Sequence, residues 1–284
     1  MSPWFPLWFA WTLLHPSPAL QTCVNPPFQE GEMTRFEVST FGVVAGEGTA
    51  ILRKAHAPRP EYELSAGPPQ GKVWHVKGRG LIAPPASWFY KLDDILETWM
   101  FPDTFLPHRR ELWIDESSER ALRRVIFDHG AGSAHFYRDR TYYRSNPDRV
   151  KVTERESFLY PQSFDVISLF QYLRCVSVTP GDRIKVFVFE NGKNRFVGIR
   201  VVGTEPLDTI FGTIDTVHAE ITVYPEGKLV KGRPFKGWIS NDERRVPIKF
   251  VVDLRYAHLK GELKGYRRNF KAPIVGELDP SFIP

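Results

Sequence analysis

The chain lacks the residue sets that most catalytic and metal sites are built on. It has only two cysteines, Cys23 and Cys175, and only three methionines in 284 residues. Cysteines this far apart form no zinc motif. Gly46-Glu47-Gly48 lacks the Lys-Ser/Thr pair that would grip phosphate and magnesium. No Gly-x-Ser-x-Gly elbow and no His-Glu-x-x-His helix occurs. His129 and His135 are the closest histidines in sequence and could converge in a hairpin, but two side chains fall short of a ligand set. No metal and no cofactor is therefore expected. Internal repeats and low-complexity segments are missing too.

Net charge is +5 with a pI of about 9.1. That is mild for this length and excludes a nucleic-acid reading on charge alone. It favours acidic neighbours such as anionic lipid heads or acidic polysaccharide.

What is present is sheet-forming material. The 42% hydrophobic and 14% aromatic content suits a packed core, and a domain of this size buries roughly 75% of its unfolded surface. Branched and aromatic residues outweigh alanine, which favours strands. Arg183 to Phe189, Asn191-Gly192 and Phe196 to Val202 read as a hairpin, because a two-residue type I′ turn needs φ > 0 at both central positions. Phe235 to Ser240 and Val246 to Tyr256 repeat that logic across Asn241-Asp242-Glu243. Arg244 and Arg245 should pair with those acids, each worth at most about 1 kcal/mol if exposed, with Trp238 and Pro247 packing the turn.

Upstream, residues 36 to 40 and 49 to 52 alternate as two strands, with Gly42 and Gly46-Glu47-Gly48 bracketing the turn. Ala55 to Gly71 carries four prolines and reads as a surface loop. Val73 to Gly80 resumes strand character. Glu111 to Asp115 and Arg123 to Asp128 form a hairpin, and His135 to Arg144 and Val150 to Glu154 continue around a turn at Asn146-Pro147-Asp148. Two segments predict helix. Trp88, Leu92, Ile95, Leu96 and Trp99 follow helical spacing within Ser87 to Met100. Ser163 to Arg174 has Ser163 as cap, Asp165 near the N-terminus and Arg174 near the C-terminus. The expected architecture is a mainly β, antiparallel curved sheet or barrel-like single domain over 23–284, with one or two short helices.

Residues 3 to 14 form an apolar run of signal-peptide length, too short for a spanning helix at ~20 residues. Ser17-Pro18-Ala19 supplies small residues for cleavage, so 1–22 is read as a signal peptide, although no Lys or Arg precedes the run; a buried N-terminal segment is the rival. Leu20-Gln21-Thr22-Cys23 resembles a bacterial lipobox, so lipidation of Cys23, a Cys23–Cys175 disulfide and two free thiols all stay open.

Phe28 with Gly31-Glu32, Asp165-Val166-Ile167-Ser168 leading to Tyr172-Leu173-Arg174, and Gly203-Thr204-Glu205 form a recognisable series. Trp238 to Asp242 with Arg244-Arg245-Val246-Pro247 completes it. Over roughly 28–266 the chain resembles an uncharacterised family of exported bacterial proteins, domain-of-unknown-function family 3108. The resemblance implies a mostly antiparallel β protein of a Gram-negative envelope, periplasmic or outer-membrane-associated, and no activity.

Two candidate sites remain. Asp93, Asp94 and Glu97, with Asp103 nearby, cluster beside Trp88, Tyr90 and Trp99. Paired carboxyls ~5–9 Å apart next to aromatic platforms would suit a glycan hydrolase, while the ordinary reading is the outer face of a helix. Arg138, Arg140, Arg144, Arg149, Lys151 and Arg155 interleave with Tyr137, Tyr142 and Tyr143, a stripe that could hold an acidic glycan or lipid head. The alternative is a solvated sheet face that discourages edge aggregation. The leading expectation is a non-catalytic envelope protein binding a hydrophobic or anionic component, with an assembly partner in an envelope complex second. Membrane contact is expected only through a lipid on Cys23.

Overall fold

The computed structural model describes residues 22–269 except 24, 66, 144–145, 226–234 and 254–257. The proposed signal peptide up to residue 21, and Arg144, lie outside the described residues. Among the described residues no helix is long and apolar enough to cross a membrane.

A first antiparallel meander comprises β1 (Glu32–Thr40), β2 (Val43–His56), β3 (Lys72–Ile82), β4 (Asp93–Met100), β5 (Pro107–Asp115), β6 (Glu119–Asp128) and β7 (Ser133–Tyr142). The short strands β8 (Asn146–Val150) and β9 (Thr153–Phe158) both pair with β7. The two-residue β10 (Ser163–Phe164) then enters helix α1 (Val166–Cys175). A second meander follows, made of β11 (Arg183–Glu190), β12 (Lys193–Thr209), β13 (Gly212–Pro225), β14 (Phe235–Ser240), β15 (Pro247–Asp253) and β16 (His258–Arg267). β16 lies antiparallel against β1, which joins both meanders into one 16-stranded sheet. Among the described strand pairs, β10–β11 is the parallel one.

The expected Asn191-Gly192 turn is present, with φ of 52° and 71°. The positive φ at position 192 is what favours glycine there; the Arg155 guanidinium that a Cβ would meet is the end of a flexible side chain and could shift. Four expectations need correction. The β1–β2 turn is Phe41-Gly42 alone, and Gly46 to Gly48 belong to β2. Asn146 to Asp148 open β8 rather than turning the chain. Residues 87 to 100 are not a helix: a 3-10 turn, Ala86–Trp88, precedes strand β4. Thr98, Trp99 and Met100 are all buried, so both faces of β4 carry apolar contacts and the period-2 alternation that marks a half-exposed strand is lost. Helix α1 does form, but Asp165 caps it, accepting from the Ile167 and Ser168 backbone N–H groups while the Ser168 hydroxyl accepts from the Asp165 N–H. Ser163 instead pairs with Phe187 in the sheet.

Helix α1 packs against the inner face of the curved sheet. Leu169 and Tyr172 meet Leu52, Trp74, Met100 and Val186 in the largest buried cluster. Cys23 sits in the same cluster and is joined to Cys175 at the helix end, Cα–Cα 5.7 Å. A sulfur bonded this way cannot carry lipid, so of the three fates left open for Cys23 the structure has the disulfide.

The hydrogen-bonded ladder does not close into a barrel. The gap between β9 and the β11–β12 hairpin is spanned mainly by side chains. Asn194 donates to the Phe158 carbonyl at 2.8 Å and accepts from the Tyr160 N–H at 3.2 Å. Arg155 donates to the Asn191 and Gly192 carbonyls, both at 2.9 Å. The hairpin tip is thereby held with Val188 facing the helix cluster and Phe189 against Val125, Phe127 and Phe136.

Candidate functional site: an arginine wall on the inner face

Residues opposite one another in a ladder share a face, so the register defines rows across the inner surface. The row nearest the helix reads Phe136, Val125, Arg110, Thr98, Val76 and Leu52. All six are buried. The next row reads Arg138, Arg123, Leu112, Leu96, Gly78 and Ala50, and every one of them is only half-buried. A further step brings Arg140 opposite Ala121, and Asp94 opposite Gly80, which faces Gly48. The inner face is thus filled at the helix end and half-open along the Arg138–Ala50 row; one row further out, Ala121 and Ile114 are buried beside Arg140, and the open part lies at Gly80 and Gly48.

These arginines differ in how they are satisfied. Arg140 pairs with the buried Glu119 and lies 4.0 Å over the Tyr142 ring. Arg110 pairs with Glu190 at 2.7 Å. Arg123 donates to the Asn191 side chain at 3.0 Å and reaches Glu119 at 3.4 Å. Arg138 makes no hydrogen bond or ion pair among the described residues, and its buried Nε has no acceptor, nor does that of Arg123. Arg138 and Arg123 stand directly opposite each other across β6–β7. Two like charges in that relation destabilise a sheet.

The stripe read from the sequence is therefore divided. Arg138, Arg140 and Tyr142 share the inner face with Ala134 and Phe136 and are half-buried there. Tyr137 points outward, beneath Arg124. Arg149 and Lys151 are exposed. Arg110 and Arg123 were missed. They sit on other strands, and only the hairpin register brings them in: counting back from a turn at 129–132 sets Arg123 against Arg138.

The carboxylate cluster is dispersed by the same strand geometry. Asp93 and Glu97 face outward, about 13 Å apart at strand rise, and Asp94 faces inward. Arg79 binds Asp93 through two 2.7 Å hydrogen bonds and holds its carboxyl below the usual range. Burial raises Glu97, but His75 at 2.8 Å and Lys77 at 3.2 Å bring it below its ordinary value. Asp94 accepts from the Asp115 N–H and is pushed up to about 6 by burial. No carboxylate pair for glycoside hydrolysis is assembled here. The aromatic platform fails too: Trp88 and Tyr90 sit in the exposed β3–β4 connection, while Trp99 is buried and stacked on His75 at 4.5 Å.

His129 and His135 do not converge. His129 meets the Pro107 carbonyl at 2.9 Å, and His135 stacks on Tyr62 at 4.3 Å. Among the described residues no three His, Cys, Asp or Glu side chains are grouped to hold a metal. On the outer face the proline-rich loop covers β5–β7 and leaves a cleft of about 310 Å³ beside Tyr62, His135 and Arg124. Its charges are paired among themselves, Glu61 to Arg109 and Arg124, and Tyr62 to Glu154. The cleft therefore reads as a packing seam. The Arg244–Asp242 pair expected at the β14–β15 turn is present, and Trp238 is buried beside it.

None of the curated proteins matches the chain. Among solved structures, a β-barrel-like protein of domain of unknown function DUF1849 from Brucella abortus aligns over 85% of this chain and 98% of its own, at 6% identity and a TM-score of 0.49. A protein with a YmcC-like fold from Bacteroides fragilis aligns over 85% and 97%, at 10% identity and a TM-score of 0.31. The family model described as protein of unknown function DUF3108 matches residues 36–264, most of the chain, and the chain belongs to that family.

Proposed function

We propose that the protein is a non-catalytic binding protein of an oxidising, extracytoplasmic compartment, and that its inner arginine wall holds the anionic group of an envelope component. The observation that carries this reading is Arg138, which has no acid of its own, set against Arg123, whose acid is Glu119 at 3.4 Å, shared with Arg140. An anion lodged there converts a repulsion into two charge-assisted hydrogen-bond sites. The compartment is inferred from the Cys23–Cys175 disulfide, since such bonds persist where thiols are not kept reduced.

Native mass spectrometry of the protein purified from its own envelope tests the reading. A discrete adduct on the wild-type chain that is lost on Arg138→Gln and on Arg123→Gln is the expected result. A clean unliganded mass, with no adduct restored by adding anionic envelope lipid or acidic glycan, would overturn it.

A second reading, an assembly partner in an envelope complex, is favoured by one feature. Phe41, Trp88 and Phe89 stand 76%, 78% and 86% exposed on loops at the open end, large apolar side chains of the kind that mark a protein–protein contact where they lie together. A mass seen only together with a second protein would favour that reading.

A further inference from the structure

We infer that the anion held at the arginine wall is the head of an acyl-chain amphiphile, and that its chain lies along the open half of the inner face. The inference rests on the anion-binding reading above and adds the class of ligand.

Next to Arg123 the row continues Leu112, Leu96, Gly78 and Ala50. This stretch offers no side-chain hydrogen-bonding group to a sugar ring, so an acidic glycan would lose its hydroxyl partners to an apolar wall. Methylenes lose nothing there. One row further out, Gly48 and Gly80 put no side chain on the face and a Cβ built at Gly80 would meet nothing within 4 Å, while the Asp94 carboxyl opposite Gly80 is engaged by the Asp115 N–H. Room is present beside the leucines, and it is not filled by the protein.

Across the sheet, Phe36, Phe250 and Phe235 form an aromatic row, with ring centroids 5.7 and 6.2 Å apart. All three are half-buried. The Phe250 ring occupies the space beside Gly261 where a Cβ would fall. Half-buried apolar side chains on a concave face are unusual when the other end of that face is dry. At the helix end Leu52, Trp74 and Met100 are sealed, whereas Leu96, Leu112 and Phe36 are not. A concave, mostly apolar surface with a few convergent charged groups is the common form of a small-molecule site. The exposed Phe41 and Trp88 stand at its mouth, placed to meet a chain on entry.

Isothermal titration of the full chain with sodium laurate below its micellar concentration tests this, alongside decanoate, acetate, inorganic phosphate and a neutral dodecyl glycoside. Each buried methylene should tighten binding about fourfold, so decanoate should bind more than tenfold more weakly than laurate. Acetate, phosphate and the neutral glycoside should bind far more weakly still. Gly80→Phe, which fills the space, should abolish laurate binding and spare phosphate. Leu96→Trp serves as the second blocking variant should Gly80→Phe fail to fold. Arg138→Gln should weaken both laurate and phosphate.

Equal affinity for laurate and phosphate, untouched by either blocking variant, would overturn the acyl-chain inference while leaving anion binding standing. Chain-length dependence that survives Arg138→Gln unchanged would overturn the head-group assignment. Binding of neither probe would overturn both.

Discussion

Arg174 gives two of its five N–H groups to Glu32, 142 residues away, in a bidentate pair at 2.6 and 3.0 Å. The other three go to the Gln171 side chain and the carbonyls of Arg244 and Arg245, at 3.1, 3.2 and 2.9 Å. Both partners are fully buried, and the Phe28 ring lies 4.7 Å from the guanidinium. One side chain thereby ties the end of α1 to the start of β1 and to the β14–β15 turn. Tyr266 on β16 donates to the same carboxylate at 3.2 Å, and its hydroxyl is pushed up to about 12 by burial and by the Glu32 charge.

Breaking that pair should be among the most damaging single changes in the chain. Glu32→Gln leaves a buried guanidinium without its countercharge, which costs about 3–5 kcal/mol. Urea unfolding should show the loss. Replacing both residues by leucine should cost less than the sum of the single changes, because neither charge is then stranded. Additive losses would mean that the two side chains do not act as a unit.

The disulfide should matter for the same end of the helix, where Cys175 follows Arg174. Cys23→Ser with Cys175→Ser should lower stability by about 2–5 kcal/mol. Intact-mass measurement of the mature protein should show the two thiols oxidised and no lipid on Cys23. A lipid adduct on Cys23 would mean that the mature chain does not contain this bond.

How much of this could be read in advance depends on how local the cause is. Asn191-Gly192 announces its hairpin because the turn geometry is a demand on two adjacent backbones. The strand β4 was hidden, since Thr98, Trp99 and Met100 are buried on both faces and their pattern mimics a helix. Asp165 outranks Ser163 as a cap only because Ser163 is drawn into the sheet against Phe187. The pairing of Arg138 with Arg123 lies between these cases. It follows from the length of the 129–132 turn, and no property of either residue alone discloses it. Arg174 was placed at the helix end correctly, but its partner could not be found, because Glu32 is brought to it by the β1–β16 pairing of the whole sheet.

Asp165 carries a distinct pH signature. Its carboxyl is fully buried at the start of α1, and burial pushes it up to about 6 from an ordinary 3.8. The folded state binds the proton more tightly than the unfolded chain, so this group adds stability as pH falls from about 6 to about 4. A rise of that size is worth about 3 kcal/mol at most. Burial lowers His75, His129 and His108, the last to about 4, and these act the opposite way, losing stability as pH falls below about 6.5. The comparison with Asp165→Asn separates the two. The variant should match or exceed the wild type at pH 7.5 and fall below it at pH 4.5, by urea midpoint. Parallel curves across that range would show that Asp165 is already ionised throughout.

Arg138 should separate function from stability. With no ligand present, Arg138→Gln removes one of two opposed positive charges and should raise stability by up to about 1 kcal/mol. The same change should lower the affinity for an anionic ligand, because the guanidinium has no other duty among the described residues. A charged group that costs stability without a structural partner is the kind of trade a binding site makes. The control is Arg140→Gln: it leaves the buried Glu119 carboxylate with only its 3.4 Å contact to Arg123, and should destabilise the protein whether or not ligand is bound. Thermal unfolding of both variants, with and without laurate, reads out all four conditions. Were Arg138→Gln to destabilise the ligand-free protein as strongly as Arg140→Gln, the arginine would be a structural element of the sheet and the binding assignment would fall with it.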